Sequence, residues 1–456
     1  MILVAHGIGG VRDLPVPTWL FSWGAAVVLV LSFLLLGTLW KRSQLDRRAE
    51  GRPLPQGLER VLRSTALRVL LGAVSAGLLV LVFLAALLGE PSSATNLAPT
   101  FVYVIFWLGI VLLQVVLGNV WPALNPWLAI ASAAAWIWRA LGRTWNPIVA
   151  YPERLGVYPA ALLLLAFVAL ELCYVDPANP RALALAIALY SYVTWFGMAA
   201  VGRQLWAERG EAFTVYFGLL ARIAPFGRTN DERNGRLVLR TPLSGLAGAE
   251  RVPGMLAVVT VMLGSVAFDG LSRSSVWQDL RADVEGPYVL DSPGAADLVG
   301  TLLALGGLLG CIALVVLAYL GATRLARRTA GGERPLEPEF LQSLVPIALV
   351  YAVAHYFTLL LVQGQFALPL GSDPFGYGWD LFGVADYAPN LAPLSPNTIW
   401  YVQVGALVAG HVAGLAVAHD RAISLFPPKA ALRSQYALLA LMVAYTIGGL
   451  WLLSQD

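Results

Sequence analysis

The chain has 456 residues, 58% of them hydrophobic and only 12% charged, and its mean hydropathy is strongly positive. Water-soluble domains of this length do not carry that balance, so composition excludes a soluble enzyme or binding module and predicts an all-α, polytopic transmembrane helix bundle forming one domain over 1–456. The formal net charge of +3 comes with no basic stripe interleaved with aromatics, so nucleic acid is not an expected partner and the lipid bilayer is.

A bilayer core about 30 Å thick takes roughly 20 apolar residues per helix. Ten segments qualify, near 18–40, 66–89, 101–118, 155–175, 181–202, 253–271, 296–320, 340–364, 398–418 and 435–453. They are too long and too continuously apolar for barrel strands, and as helices they satisfy their own backbone groups in lipid. The positions of Lys and Arg set the orientation. Segments 41–65, 119–154, 203–252, 321–339 and 419–434 hold about 25 of the 30 cations, while the opposite side holds Arg12, Arg181, Arg273 and Arg281. Both termini are therefore expected outside the cytoplasm, as is the cation-free loop 366–397.

At the start, Ala5-His6-Gly7 resembles the beginning of a mature exported segment whose leader is cut short. His6 is then either a copper-chelating residue beside a processed amine or a solvated side chain. Trp19, Trp23 and Trp40 are expected as interfacial anchors of the first span. The third span ends in Gln114 and Asn119 and runs into Trp121-Pro122-Ala123-Leu124-Asn125-Pro126-Trp127, where two prolines four apart predict a broken helix. An amphipathic run with Trp136, Trp138, Arg139 and Arg143 follows, expected along the inner leaflet.

Glu171 in the fourth span and Asp269 in the sixth are acids at similar depth, costly in lipid unless paired or facing water. Between them, 203–252 is the largest cytoplasmic loop, with an amphipathic segment at Phe213–Ile223 and a hairpin-like stretch around Asn234-Gly235. It contains no phosphate-binding glycine loop. Cys173 and Cys311 fall in expected spans without paired spacing and read as buried apolar residues.

Three of the four histidines lie between Tyr351 and Arg421, which makes this the candidate functional region. Tyr351, His355, Leu359 and Gln363 share one helix face at i, i+4 spacing. Gln403 and His411 lie on the next span, and the intervening loop makes the two spans antiparallel, so His355 and His411 can meet between neighbouring helices as metal ligands or as hydrogen-bond partners. His419, beside Asp420 and Arg421, is expected as part of a surface ion-pair element at the cytoplasmic rim, with a supporting metal role as the alternative. The loop from Ser372 to Gly383 carries Asp373 and Asp380, with Asp386 following. It reads either as a cation or metal admission site or as a cover folded over the bundle. If Glu171, Asp269, Gln363 and Gln365 gather beneath it, they form a carboxylate and amide cluster suited to a divalent metal and its water.

Across these elements the chain resembles the fenitrothion hydrolase-like family of bacterial integral-membrane proteins. The resemblance lies in the early Ala-His-Gly with Asp13-Leu14-Pro15 and Trp19-Leu20-Phe21, in Trp121-Pro122 with Asn125-Pro126, in His355-Tyr356 with Gln363-Gly364-Gln365, in the Ser372–Gly383 loop, in Gly410-His411 with His419-Asp420-Arg421, and in Ser434-Gln435-Tyr436. It implies an organophosphorus triester hydrolase of the bacterial inner membrane acting on a lipophilic substrate. Such chemistry calls for a metal-activated hydroxide, for which His355 and His411 are the expected ligands and Asp373 or Asp380 the second ligand or base. Two other classes remain open: a transporter or permease for a metal or small solute, and a haem- or copper-binding accessory subunit working with a partner membrane subunit.

Overall fold

The computed structural model describes residues 18–229, 235–289 and 292–453, so His6 lies outside the described residues. The chain opens with α1 (Thr18–Leu39), then α2 (Leu45–Ala49), a short strand β1 (Arg52–Pro53), α3 (Gln56–Leu62) and α4 (Thr65–Leu88). Ser64 starts α4 by accepting from Leu67 N at 3.2 Å, an N-cap that satisfies one free helix donor. After α5 (Leu97–Thr100) the chain winds as a π-helix over Phe101–Gly109 before returning to α6 (Ile110–Leu117). Gly118 ends α6 at φ +81°, and a Cβ there would stand 2.5 Å from the Phe226 carbonyl oxygen, so both conformation and space require glycine.

The expected break follows. α7 (Trp121–Leu124) stops at Asn125, which is extended with ψ 108° because Pro126 disfavours a helical conformation in the residue before it, and α8 (Pro126–Ala140) begins there. Next come α9 (Tyr158–Leu172), α10 (Pro180–Val201), α11 (Arg203–Arg209) and α12 (Ala212–Leu220). Strands β2 (Phe226–Arg228) and β3 (Leu237–Leu239) pair antiparallel, with Phe226 opposite Leu239, and β1 adds on the other side of β3. These strands flank the expected hairpin, whose tip at 230–234 lies outside the described residues. The second half comprises α13 (Met255–Arg273), α14 (Ser275–Val289), α15 (Pro293–Ala330), α16 (Glu337–Phe340), α17 (Val345–Gln363), α18 (Ala367–Ser372), α19 (Pro396–Leu425) and α20 (Pro428–Leu453).

Among the described residues, nine helices or continuous helical runs are long and apolar enough to cross a membrane. The remaining segment of the expected ten, 18–40, is helical over the 22 residues Thr18–Leu39. Burial separates the helices by role. About two thirds of the apolar window of α13 (67%) and of the run containing α17 (61%) is buried, against 6% for α15. The first two are therefore the interior of the bundle, and α15 turns leucines outward as a lipid-facing helix does.

One segment differs from its sequence reading. Phe213–Ile223 is not an amphipathic surface helix: Ala212, Phe213, Val215, Tyr216, Phe217, Leu219 and Leu220 are all buried. A helix that is apolar on every side loses most free energy at a surface, so α12 inserts between neighbours, with Tyr216 stacked on Trp107 at 4.8 Å and Phe213 edge-on to Phe106 at 4.6 Å.

Candidate functional site

Two interior helices, α13 and α17, and the adjoining α9 bring ionisable groups together. Asp269, near the end of α13, is 5% exposed, and Arg273 one turn later donates from Nη2 to its Oδ1 at 2.9 Å. His355, in the middle of α17, places Nε2 2.5 Å from Asp269 Oδ2. Beside it Tyr356, buried and with its ring 4.9 Å from the imidazole, donates from its hydroxyl to Glu171 Oε1 of α9 at 3.0 Å. Glu171, Asp269, Arg273, His355 and Tyr356 thus form one cluster. It lies in the half of the bundle nearest the 366–397 loop, since His355 is eight residues, about 12 Å, from the end of α17 that leads there.

The sequence positions predict why these side chains converge. Glu171 and Asp269 sit at matching depth on helices that pack together, and α17 packs against α13 with its His355 face inward. Arg273 lies on the next turn from Asp269, so its side chain reaches back along the helix. His355 and Arg273 thus both face the Asp269 carboxylate, Arg273 through a charge-assisted hydrogen bond.

The other expected residues lie elsewhere. His411 is fully buried on α19. Its Nδ1 is 2.8 Å from the Leu407 carbonyl oxygen, its Nε2 has no hydrogen-bond partner among the described residues, and its ring stands edge-on to Tyr351 at 5.7 Å and tilted to Tyr445 at 6.3 Å. Tyr351 turns its hydroxyl to the Tyr445 carbonyl at 2.8 Å, and Gln403 donates to the Ala354 carbonyl at 2.8 Å, so both knit α17 to its neighbours.

Gln365 does not join Glu171 and Asp269: its side chain holds Asn390, donating to the carbonyl at 2.8 Å and accepting from the amide at 2.9 Å. Gln363 lies half-buried at the end of α17.

Asp373 and Asp380 shape the loop. Asp373 accepts from the amides of Tyr377 (3.0 Å) and Gly378 (2.7 Å), and Asp380 from Ser372 Oγ (3.1 Å) and the amides of Val384 (2.7 Å) and Ala385 (3.1 Å). The loop is tied to the end of α4 by Glu90 N to the Phe375 carbonyl at 2.8 Å and by the Tyr377 hydroxyl to the Leu88 carbonyl at 2.6 Å. It is therefore anchored on the end of α4.

The expected surface element at the other end is corrected. His419 and Asp420 are 2% and 3% exposed. His419 stands between Gln435 Oε1 (3.0 Å) and the Trp40 carbonyl (3.1 Å). Asp420 accepts from Trp40 Nε1 (2.9 Å), Ser43 Oγ (2.8 Å), Gln44 N (2.7 Å) and Leu45 N (3.2 Å), which caps α2. The reason is that α19 continues past the apolar run and is covered by 40–45, so these polar groups find partners within the protein. Arg421 pairs with Glu339 instead of its neighbour, at 3.0 Å from Nε to Oε2.

Sequence reasoning missed several buried carboxylates, Glu211 and Glu339 among them. Glu211, fully buried before α12, accepts from the amides of Phe213 and Thr214 (both 2.9 Å), from Asn125 Nδ2 (3.0 Å) and Trp121 Nε1 (3.3 Å), and from the hydroxyls of Tyr190 and Thr214. Its signal was present as an acid one residue before an apolar helix, in the N-cap position. Glu339, at the start of the helical run leading into α17, receives Arg251 and Arg334, each at 2.8 Å, together with Arg421.

Among the described residues no group of three or more His, Cys, Asp and Glu converges to hold a metal ion. His355 faces Asp269, His411 sits in an aromatic pocket, and Asp373 and Asp380 are occupied by loop donors, so these residues do not fit the shared metal centre expected of them. Comparison with protein-family models, curated proteins and solved structures finds no match for this chain.

Proposed function

We propose that this polytopic membrane protein is a proton-linked transporter or permease for a small solute in the bacterial cytoplasmic membrane, with both termini and the 366–397 loop outside. The observation that carries the reading is the Glu171, Asp269, Arg273, His355 and Tyr356 cluster, built from three helices. Ionisable groups at membrane depth are costly and mark pathways for protons, ions or polar solutes. Asp269 and Arg273 both lie on α13 and His355 lies on α17, so a proton arriving at the Asp269 and His355 pair changes the bond between those two helices. That couples protonation to the packing of α13 against α17, which a transporter needs to alternate between two states.

The test is proton flux into pyranine-loaded proteoliposomes under an imposed potential, across a panel of small polar solutes. Solute-dependent flux in the parent, reduced at least ten-fold by Asp269→Asn, His355→Gln or Glu171→Gln, is expected. Flux no greater than in protein-free vesicles across the panel, in protein that remains folded, overturns the reading.

A second reading rests on the family resemblance and on one observation, the carboxylate against His355. Carboxylate-backed histidine is the arrangement of a general base. Water deprotonated by the imidazole would attack phosphorus, the P–O aryl bond would break, and the phenol would leave with a proton. Release of nitrophenol from a dialkyl aryl phosphotriester by the same vesicles, abolished by His355→Gln, tests it.

A further inference from the structure

At the end of the bundle away from the cluster, one carboxylate holds three segments. Glu339 is 2% exposed. Its Oε1 lies 2.8 Å from Arg251 Nη2 and 2.8 Å from Arg334 Nη2, and its Oε2 takes Arg421 through Nε at 3.0 Å and through Nη2. The three arginines come from different places: Arg251 just ahead of α13, Arg334 in the link between α15 and α16, and Arg421 on α19. Glu339 itself leads into α17. The helices tied here therefore include α13 and α17, the same two whose far ends bring Asp269 to His355.

The balance of charge makes this contact a switchable one. Three guanidinium groups share a single negative charge, so two positive charges are left over within contact distance of one carboxylate. With the carboxylate present each arginine has a charge-assisted bond. Without it the largely buried Arg421 loses its partner, while Arg251 and Arg334, more than half exposed, turn to water.

A narrow crevice of about 10 Å³, room for about one water, runs alongside, with Glu339, Ser343, Val417, Ala418, Asp420 and Arg421 among its walls. It lies where the start of the α17 run meets α19. The contact beneath it is close, since a Cβ on Gly414 would stand 2.6 Å from the Ser343 carbonyl oxygen.

We infer that Glu339 is the latch of this end of the bundle: its three arginine contacts hold α13, α17 and α19 together, and their release opens the crevice between α17 and α19 toward the cytoplasm. The inference gives the transport reading its second gate and rests on that reading for its purpose, but its test does not require transport. Ser343 is 1% exposed and lines the crevice, which makes it the reporter.

The experiment places Ser343→Cys in a Cys173→Ala/Cys311→Ala full-length chain in lipid nanodiscs and follows labelling by a membrane-impermeant maleimide. With Glu339 intact, labelling is slow. Glu339→Gln raises the rate at least ten-fold, and Arg421→Gln does so by several-fold. Equal rates with and without Glu339, in protein of unchanged circular dichroism and gel-filtration profile, overturn the latch. Should Glu339→Gln fail to fold, Arg421→Gln carries the test, and labelling no faster than with Arg421 intact overturns the latch. Faster labelling in a protein that moves no solute supports the latch and removes the transport reading. Unchanged labelling in an active transporter does the reverse.

Discussion

The Asp269 and Arg273 pair offers the sharpest energetic test of the cluster. At 2.9 Å, and with side chains 7% and 21% exposed, two unit charges in an effective dielectric near 20 attract by about 6 kcal/mol before desolvation is counted. Removing both ions from water offsets most of that, which leaves a net coupling of about 1–3 kcal/mol. Asp269→Asn leaves the half-buried Arg273 without the carboxylate one turn away, and is expected to cost about 3 kcal/mol. Arg273→Gln takes the guanidinium from Asp269 and costs a similar amount. The double variant removes both charges and is expected to be more stable than the sum of the two losses by about 1–3 kcal/mol. Unfolding by sodium dodecyl sulfate in mixed micelles measures all four corners of the cycle. Additive losses, with coupling below about 0.5 kcal/mol, would show that the pair is not an energetic unit and would refute the account of Asp269 as a charge held by Arg273.

Two further substitutions separate structural carboxylates from that cluster. Glu211→Gln keeps one acceptor oxygen but turns an amide toward Asn125 Nδ2 or Trp121 Nε1, both donors; a loss of about 2–4 kcal/mol in the same unfolding assay is expected, with solute flux per folded molecule unchanged. Asp420→Ala strands four donors at 40–45, and a loss of about 3 kcal/mol together with faster protease cleavage in 40–50 is expected, whereas Ser43→Ala removes one donor and costs about 1 kcal/mol.

Much of the fold was legible because membrane spans are written in composition. Length and apolarity locate the helices, and Asn125-Pro126 breaks one where proline must. What composition does not carry is which apolar helix lies inside. The buried α12 reads as a loop segment because a short apolar helix looks alike on a surface and in a core. The same ambiguity hid the partners of the site. Glu171, Asp269 and His355 were visible as ionisable residues in apolar runs, but their pairing depends on α13 packing against both α9 and α17. Arg273 looked like a loop cation because its backbone lies at the helix end while its side chain returns to Asp269. The histidine pair failed for a related reason: similar depth on adjacent helices does not fix rotation about their axes, and His411 turns toward Tyr351 and Tyr445.

Partner chemistry, more than burial, divides the carboxylates of this bundle. Glu211 and Asp420 accept from backbone amides, indoles, a carboxamide and hydroxyls. These donors do not titrate in the physiological range, and they fix a turn or cap a helix. Asp269 instead faces an arginine and a histidine, and Glu171 a tyrosine that adjoins that histidine. A bundle needing only cohesion gains more from leucine at those positions, since replacing buried ion pairs by apolar side chains is often neutral or stabilising. The arrangement makes physical sense where the charges are meant to change: histidine is the side chain whose protonation moves within the physiological range, and it is placed here on the carboxylate that joins two interior helices. Glu339 repeats the logic with fixed charges at the opposite ends of the same helices. On the transport reading proposed above, Asp269 and Glu339 are the two places where a change of one charge alters how α13 meets α17.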